Sequence, residues 1–133
     1  MGKKRIILDT NVIISGLGFK SYSRKVIEKT LKYYLWITSD AQIQELERVL
    51  NYPKFDFEEK LKEEILVFVK ENTIVVSTKT NLNVIKDNKD NFLITLAVDG
   101  KAHIIVSGDK HLLDFEKYKA TKIISPRKFI DSI

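Results

Sequence analysis

Short β-branched runs alternate with longer periodic segments along the whole chain. Arg5–Leu8 (RIIL), Leu35–Thr38 (LWIT), Thr73–Val76 (TIVV), His103–Val106 (HIIV) and Lys122–Ile124 (KII) read as strands. Several are continuous apolar runs, as expected of strands covered on both faces in a parallel sheet. Between them, apolar residues recur at helical spacing. Val26, Ile27, Thr30 and Leu31 share one face of residues 23–33. Ile43, Leu46, Val49 and Leu50 form a stripe that starts after a capping-box pattern, Ser39 followed three residues later by Gln42, and stops at Pro53. Phe57, Leu61, Ile65, Phe68 and Val69 make a further stripe. The segment from Asn91 to about Lys101 is apolar on nearly every side, which predicts deep burial. Short helical turns are expected after Asp109 and Pro126.

Strand–helix alternation of this kind predicts an α/β fold. Its sheet should be mainly parallel, with about five strands, helices on both faces and right-handed crossovers. In open sheets, ligands bind beyond the carboxyl ends of the strands. That rule points to the stretch RIILDTNVIISG, where Asp9 stands between two buried-looking runs and directly follows the first strand. Asp109 follows HIIV after Ser107 and Gly108. Glu45 lies on the helix after the second strand, and Asp90 opens the buried helix. Four carboxylates from distant parts of the chain can thus meet at one edge. Thr10 and Asn11 can hydrogen-bond at the turn and help to fix the Asp9 carboxylate.

Four acids in one pocket need compensation, either by raised pKa values or by a cation. No lysine or arginine stands between Ile6 and Ser15. Oxygen donors, with no cysteine and only two histidines, favour Mg²⁺ or Mn²⁺ over Zn²⁺. A carboxylate-held Mg²⁺ suits phosphoryl chemistry. Each acid also has a plainer reading. Asp90 fits an N-cap and Asp109 fits a turn. A lone glutamate in QELER fits a solvated face, and periodicity does not choose between Glu45 and Glu47. His111 fits a surface histidine as well as a ligand or base. Asp9, with apolar runs on both sides, fits such a reading least.

Composition narrows the field. A chain of 133 residues is bounded as a single domain, residues 1–133, large enough to bury a core. The absence of cysteine excludes a disulfide framework, a thiolate metal site and a cysteine nucleophile. Neither GxxxxGK[ST] nor GxGxxG occurs, so nucleotide-cradling loops are not indicated. The run Ile6–Leu8 is too short for a signal-peptide core, and no segment approaches the roughly 20 apolar residues of a membrane helix. A cytoplasmic protein without membrane contact is therefore expected. The net charge of +5 leans toward polyanions. Gathering four acids in one site leaves 14 acidic against 23 basic residues elsewhere, a surplus of nine that strengthens this lean.

These segments, in this order, resemble the PIN domain family, most closely the prokaryotic toxin components of toxin–antitoxin systems (VapC-like ribonucleases). RIILDTNVIISGL is similar to the family's opening strand and Asp-Thr-Asn turn. SDAQIQELERVL resembles the helix that carries the second acid. DNKDNFLITLAVDGKAHIIVSGDKHLL resembles the late segment with the third and fourth acids, and KIISPRKFIDSI the closing strand and short helix. The resemblance implies a three-layer α/β/α sandwich and an endoribonuclease that needs Mg²⁺ or Mn²⁺ to hydrolyse RNA. It implies that Asp9, Glu45, Asp90 and Asp109 surround the cation, with Asn11 and Ser107 orienting them. It further implies an antitoxin protein as partner and a homodimer. Ser107 stands where threonine is more usual. His111 stands where related sequences often carry another acid, which weakens the case for a second cation. Asp87, Asp114 and His111 are auxiliary candidates.

Two other classes compete. A phosphate-accepting α/β protein needs a DxD pair after the first strand or an aspartate after the third. Here those places hold Asp9-Thr10-Asn11 and Val75-Val76-Ser77-Thr78. A non-catalytic PIN-like module would bind nucleic acid or protein without cutting; retention of all four acids argues against it.

Overall fold

The computed structural model describes residues 2–79 and 91–132; Asp87 and Asp90 lie outside them. The chain opens with β1 (Arg5–Leu8), α1 (Thr10–Gly18), α2 (Arg24–Tyr33) and β2 (Leu35–Thr38). It continues through α3 (Asp40–Leu50), α4 (Glu59–Asn72) and β3 (Ile74–Val75). After α5 (Asn91–Asp99) come β4 (Ile104–Val106), α6 (Lys110–Leu113), β5 (Lys117–Tyr118), β6 (Thr121–Ile124) and α7 (Pro126–Asp131).

The strands form one sheet in the order β3-β2-β1-β4-β6-β5. All neighbours are parallel except β5 and β6. The chain therefore builds outward from β1 through β2 to β3, then returns to β4 on the other side of β1. That reversal places a topological switch point between the carboxyl ends of β1 and β4, where doubly wound sheets bind ligands.

Alternation along the strands divides the core into two layers. Ile6, Leu8, Trp36 and Val106 pack with α1, α2, α3, α4 and α7 on one face. Ile7, Ile37, Ile105 and Ile123 pack with α5 and α6 on the other. The result is a three-layer α/β/α sandwich, the expected fold class. On α5, Leu93, Ile94, Leu96 and Ala97 are all buried, in keeping with its all-round apolar sequence. The α1–α2 crossing is close enough that a Cβ on Gly16 would stand 2.7 Å from Ile27 Cγ1 and 2.9 Å from the Ser23 carbonyl oxygen. At the far end, Lys29 Nζ donates to the carbonyls of Phe129 and Ser132 and sits 4.7 Å above the Phe129 ring, closing α7 with a cation at its carboxyl end.

Three details differ from the sequence reading. The sheet has six strands, because Lys117–Tyr118 adds an antiparallel edge too short to show a period. The segment TIVV contributes only Ile74 and Val75, both exposed at the opposite edge instead of covered on both faces. Leu31 is exposed, so the buried face of α2 is Val26, Ile27 and Thr30. No helix among the described residues is long and apolar enough to cross a membrane.

Candidate active site

Strand register builds the floor of the site. Leu8 pairs with Val106, so the next residues, Asp9 and Ser107, emerge side by side. The Asp9 amide donates to the Val106 carbonyl at 2.9 Å, and the Ser107 amide donates to that of Ile124 at 3.0 Å. Ser107, fully buried, donates its hydroxyl to Asp9 Oδ2 at 2.6 Å and accepts from the Asp109 amide at 3.0 Å. One hydroxyl thus links the two aspartates. Asp9 also caps α1, taking the Asn11 amide on Oδ1 at 3.4 Å. Asp109 caps the short α6, accepting from the His111 amide at 2.8 Å.

A second anchor ties β1 to α3. Ser39 Oγ caps α3 by accepting from the Gln42 amide at 3.2 Å. The Gln42 side chain does not reach back to Ser39 but turns inward, where it is buried. Its Nε2 donates to the Leu8 carbonyl at 2.5 Å and its Oε1 accepts from Thr38 Oγ1 at 2.6 Å. Leu8, the residue that delivers Asp9, is therefore held from both sides.

Above this floor lies a cavity of about 290 Å³. Asp9 and Asp109 line it from just beyond β1 and β4, Thr10 and Asn11 from the start of α1, and Phe92 from α5. Glu45, Arg48, Val49 and Tyr52 line it from α3 and the turn after it, with Lys54 just beyond. The α3 group is spaced i, i+3, i+4 and i+7, one helical face. Glu47, which periodicity could not separate from Glu45, is exposed and outside this lining. The His111 imidazole and Asp114 are also exposed and outside it. Glu45 Oε1 is paired with Arg48 Nη2 at 2.5 Å. That hydrogen bond and the glutamate's charge raise the guanidinium pKa, with a smaller contribution from Tyr52.

Asp9 is 6% exposed. Burial pushes its carboxyl above the ordinary value of 3.8. The Ser107 and Asn11 hydrogen bonds oppose the rise, and the Asp109 charge adds to it. The folded pKa thus exceeds the unfolded one. This group's stabilisation is full below 3.8 and is lost as pH rises through the folded value. Without divalent cations, Asp9→Asn is expected to melt higher than the parent at neutral pH, the gap closing as pH falls toward 3.8. Paired thermal melts check this; a lower neutral-pH melting temperature in the variant contradicts it.

Among the described residues, no three Asp, Glu, His or Cys side chains stand close enough together to grip a metal ion. The carboxylates of the cavity nevertheless fit one. Asp9 is buried beside Asp109 and has no cationic partner among the described residues. Thr10 Oγ1 is buried in the lining, also without a hydrogen-bond partner there. All the donors are oxygens. Mg²⁺ and Mn²⁺ accept such sets, and Mg²⁺ commonly keeps several waters while taking only one or two carboxylates.

Ser107→Ala is expected to cost about 1–3 kcal/mol, since it strips a buried carboxylate of a donor and leaves the Asp109 amide without that acceptor. Chemical denaturation of both proteins measures this directly; equal stability contradicts the linking role.

Fold and cavity together define an α/β domain with a carboxylate site at the switch point of its sheet. The chain belongs to the PIN domain family, whose sequence profile matches residues 5–111, from β1 into α6. PIN domains are generally nucleases that bind nucleic acid and typically use divalent metals. The chain is also similar to an uncharacterized protein of Methanocaldococcus jannaschii, with 31% identity over 146 aligned positions that cover 97% of this chain and 91% of the relative.

Proposed function

We propose that this chain is an endoribonuclease that hydrolyses RNA phosphodiesters with Mg²⁺ or Mn²⁺. The observation that carries the reading is the buried Asp9 carboxylate, beside Asp109, at the base of a cavity with Glu45 on its wall and Arg48 and Lys54 at its rim. Asp9 and Asp109 would hold the cation, with Glu45 completing the set; Asp90, which directly precedes Asn91 in the sequence, is the fourth candidate. A cation held there would supply a water of lowered pKa and offset the charge that gathers on the phosphate. Ser107 and the Asn11 amide keep the Asp9 carboxylate in one orientation, so no reorganisation is needed at the moment of reaction. The carboxylates accept the proton of the attacking water. Phe92 and Val49 keep part of the wall apolar, and the rim cations steer the backbone.

The test is direct. Purified protein is incubated with single-stranded RNA and with DNA of the same sequence. RNA cleavage is expected with Mn²⁺, loss of cleavage with EDTA, and recovery on adding Mn²⁺ back. RNA that stays intact under all conditions rejects the reading, and binding without cleavage favours a non-catalytic module. The order of motifs also supports a toxin role, with the protein antitoxin and the homodimer that the family resemblance implies. Growth arrest on expression, relieved by a co-expressed neighbouring protein, tests that part.

A further inference from the structure

The cavity contains a pair of side chains that the cation-holding role does not explain. Glu45 is largely covered and Arg48 is largely exposed, with side-chain exposures of 19% and 65%. They are joined at 2.5 Å across one turn of α3. Resting on the ribonuclease reading, we propose that Arg48 exchanges partners. Without a cation it neutralises Glu45; when a cation takes Glu45, Arg48 turns to the cavity mouth and holds a phosphate of the RNA.

Three observations carry this. The first is mobility. Asp9 is locked by buried hydrogen bonds, whereas an exposed i, i+3 ion pair is worth little and is easily traded. The second is charge. At formal charge, the described lining holds three acids (Asp9, Glu45, Asp109) and two bases (Arg48, Lys54), a balance of −1 that repels phosphate. A divalent cation shifts this balance by two positive charges and also takes over the compensation of Glu45. The third is the landing place. Tyr52 lies one turn beyond Arg48 on the same face and already interacts with the guanidinium. Lys54, on the same rim, is held 5.1 Å over the Phe55 ring. A guanidinium in this position can take two phosphate oxygens at once, which an ammonium cannot.

The test uses the full chain and two variants, Arg48→Gln and Arg48→Lys. Calorimetry with Mn²⁺ alone is expected to show Arg48→Gln binding the ion about threefold tighter or more, because Glu45 no longer has a competing partner. Arg48→Lys, which keeps a competing charge, is expected to stay near the parent. In cleavage assays with Mn²⁺, KM for single-stranded RNA is expected to rise about tenfold in Arg48→Gln with kcat little changed, the loss of one charged phosphate contact. Fluorescence anisotropy in EDTA is expected to show labelled RNA binding parent and Arg48→Gln alike, since Arg48 is then engaged by Glu45. Unchanged or weaker Mn²⁺ binding in Arg48→Gln overturns the exchange, and so does an unchanged KM. Weaker RNA binding by Arg48→Gln already in EDTA also overturns it. A parent that binds Mn²⁺ but cuts no RNA rejects the ribonuclease reading and the phosphate half with it, while calorimetry still decides whether Arg48 competes for Glu45.

Discussion

Asp9→Asn is expected to lower RNA cleavage by at least about a thousandfold, the scale of several kcal/mol of charge stabilisation by a bound cation. The fold should survive. Asparagine is as good an N-cap as aspartate, so α1 keeps its start. The side chain keeps its size in a buried place, and the Ser107 hydroxyl can rotate to meet an amide. What is lost is the charge that, in the proposed function, would draw a cation to the switch point between β1 and β4. Addition of Mn²⁺ should raise the melting temperature of the parent by mass action and leave the variant where it was. Near-parental turnover in a folded Asp9→Asn protein would falsify the assignment.

Gln42→Leu has the largest expected effect on stability. The volume is nearly kept, so no cavity opens and the polar loss dominates. The Leu8 carbonyl and the Thr38 hydroxyl both lose their partner in the interior. At roughly 1–3 kcal/mol for each buried group left unsatisfied, the cost is about 2–6 kcal/mol. The damage reaches the site because Leu8 adjoins Asp9, and catalysis is sensitive to small displacements of the groups it needs. Cleavage is therefore expected to fall at temperatures where the variant is still folded. Denaturant titration and cleavage rates measured on the same preparations check both parts. A variant as stable and as active as the parent would remove Gln42 from the support of the site.

Much of this was legible in the sequence. The runs RIIL, LWIT and HIIV are β-branched and bounded by polar turns, so strand identity and the parallel sheet followed from local chemistry. The position of Asp9, directly after an apolar strand, marks the carboxyl edge from the sequence alone. Ser107 is named as an orienting residue through the family resemblance alone. That Ser107 donates to Asp9 depends on the β1–β4 register, a contact between residues far apart in the chain. Gln42 was hidden by its own pattern: three residues after Ser39 it reads as the second half of a capping box, yet the interior offered the stronger partners. The α3 face was present as a spacing, Glu45, Arg48, Val49 and Tyr52, but helical periodicity alone cannot say which side meets a cavity. The edge strand β5 escaped because a two-residue segment such as Lys117–Tyr118 carries no period.

The proposed activity requires a divalent cation seated among these carboxylates. Crystals soaked in Mn²⁺ and measured at the manganese absorption edge test that most directly. The expected result is an anomalous peak between Asp9 and Asp109, within reach of Glu45, and its absence from Asp9→Asn crystals treated alike. Crystals of the parent that show no peak in the cavity, or a peak held by other residues, would contradict the account.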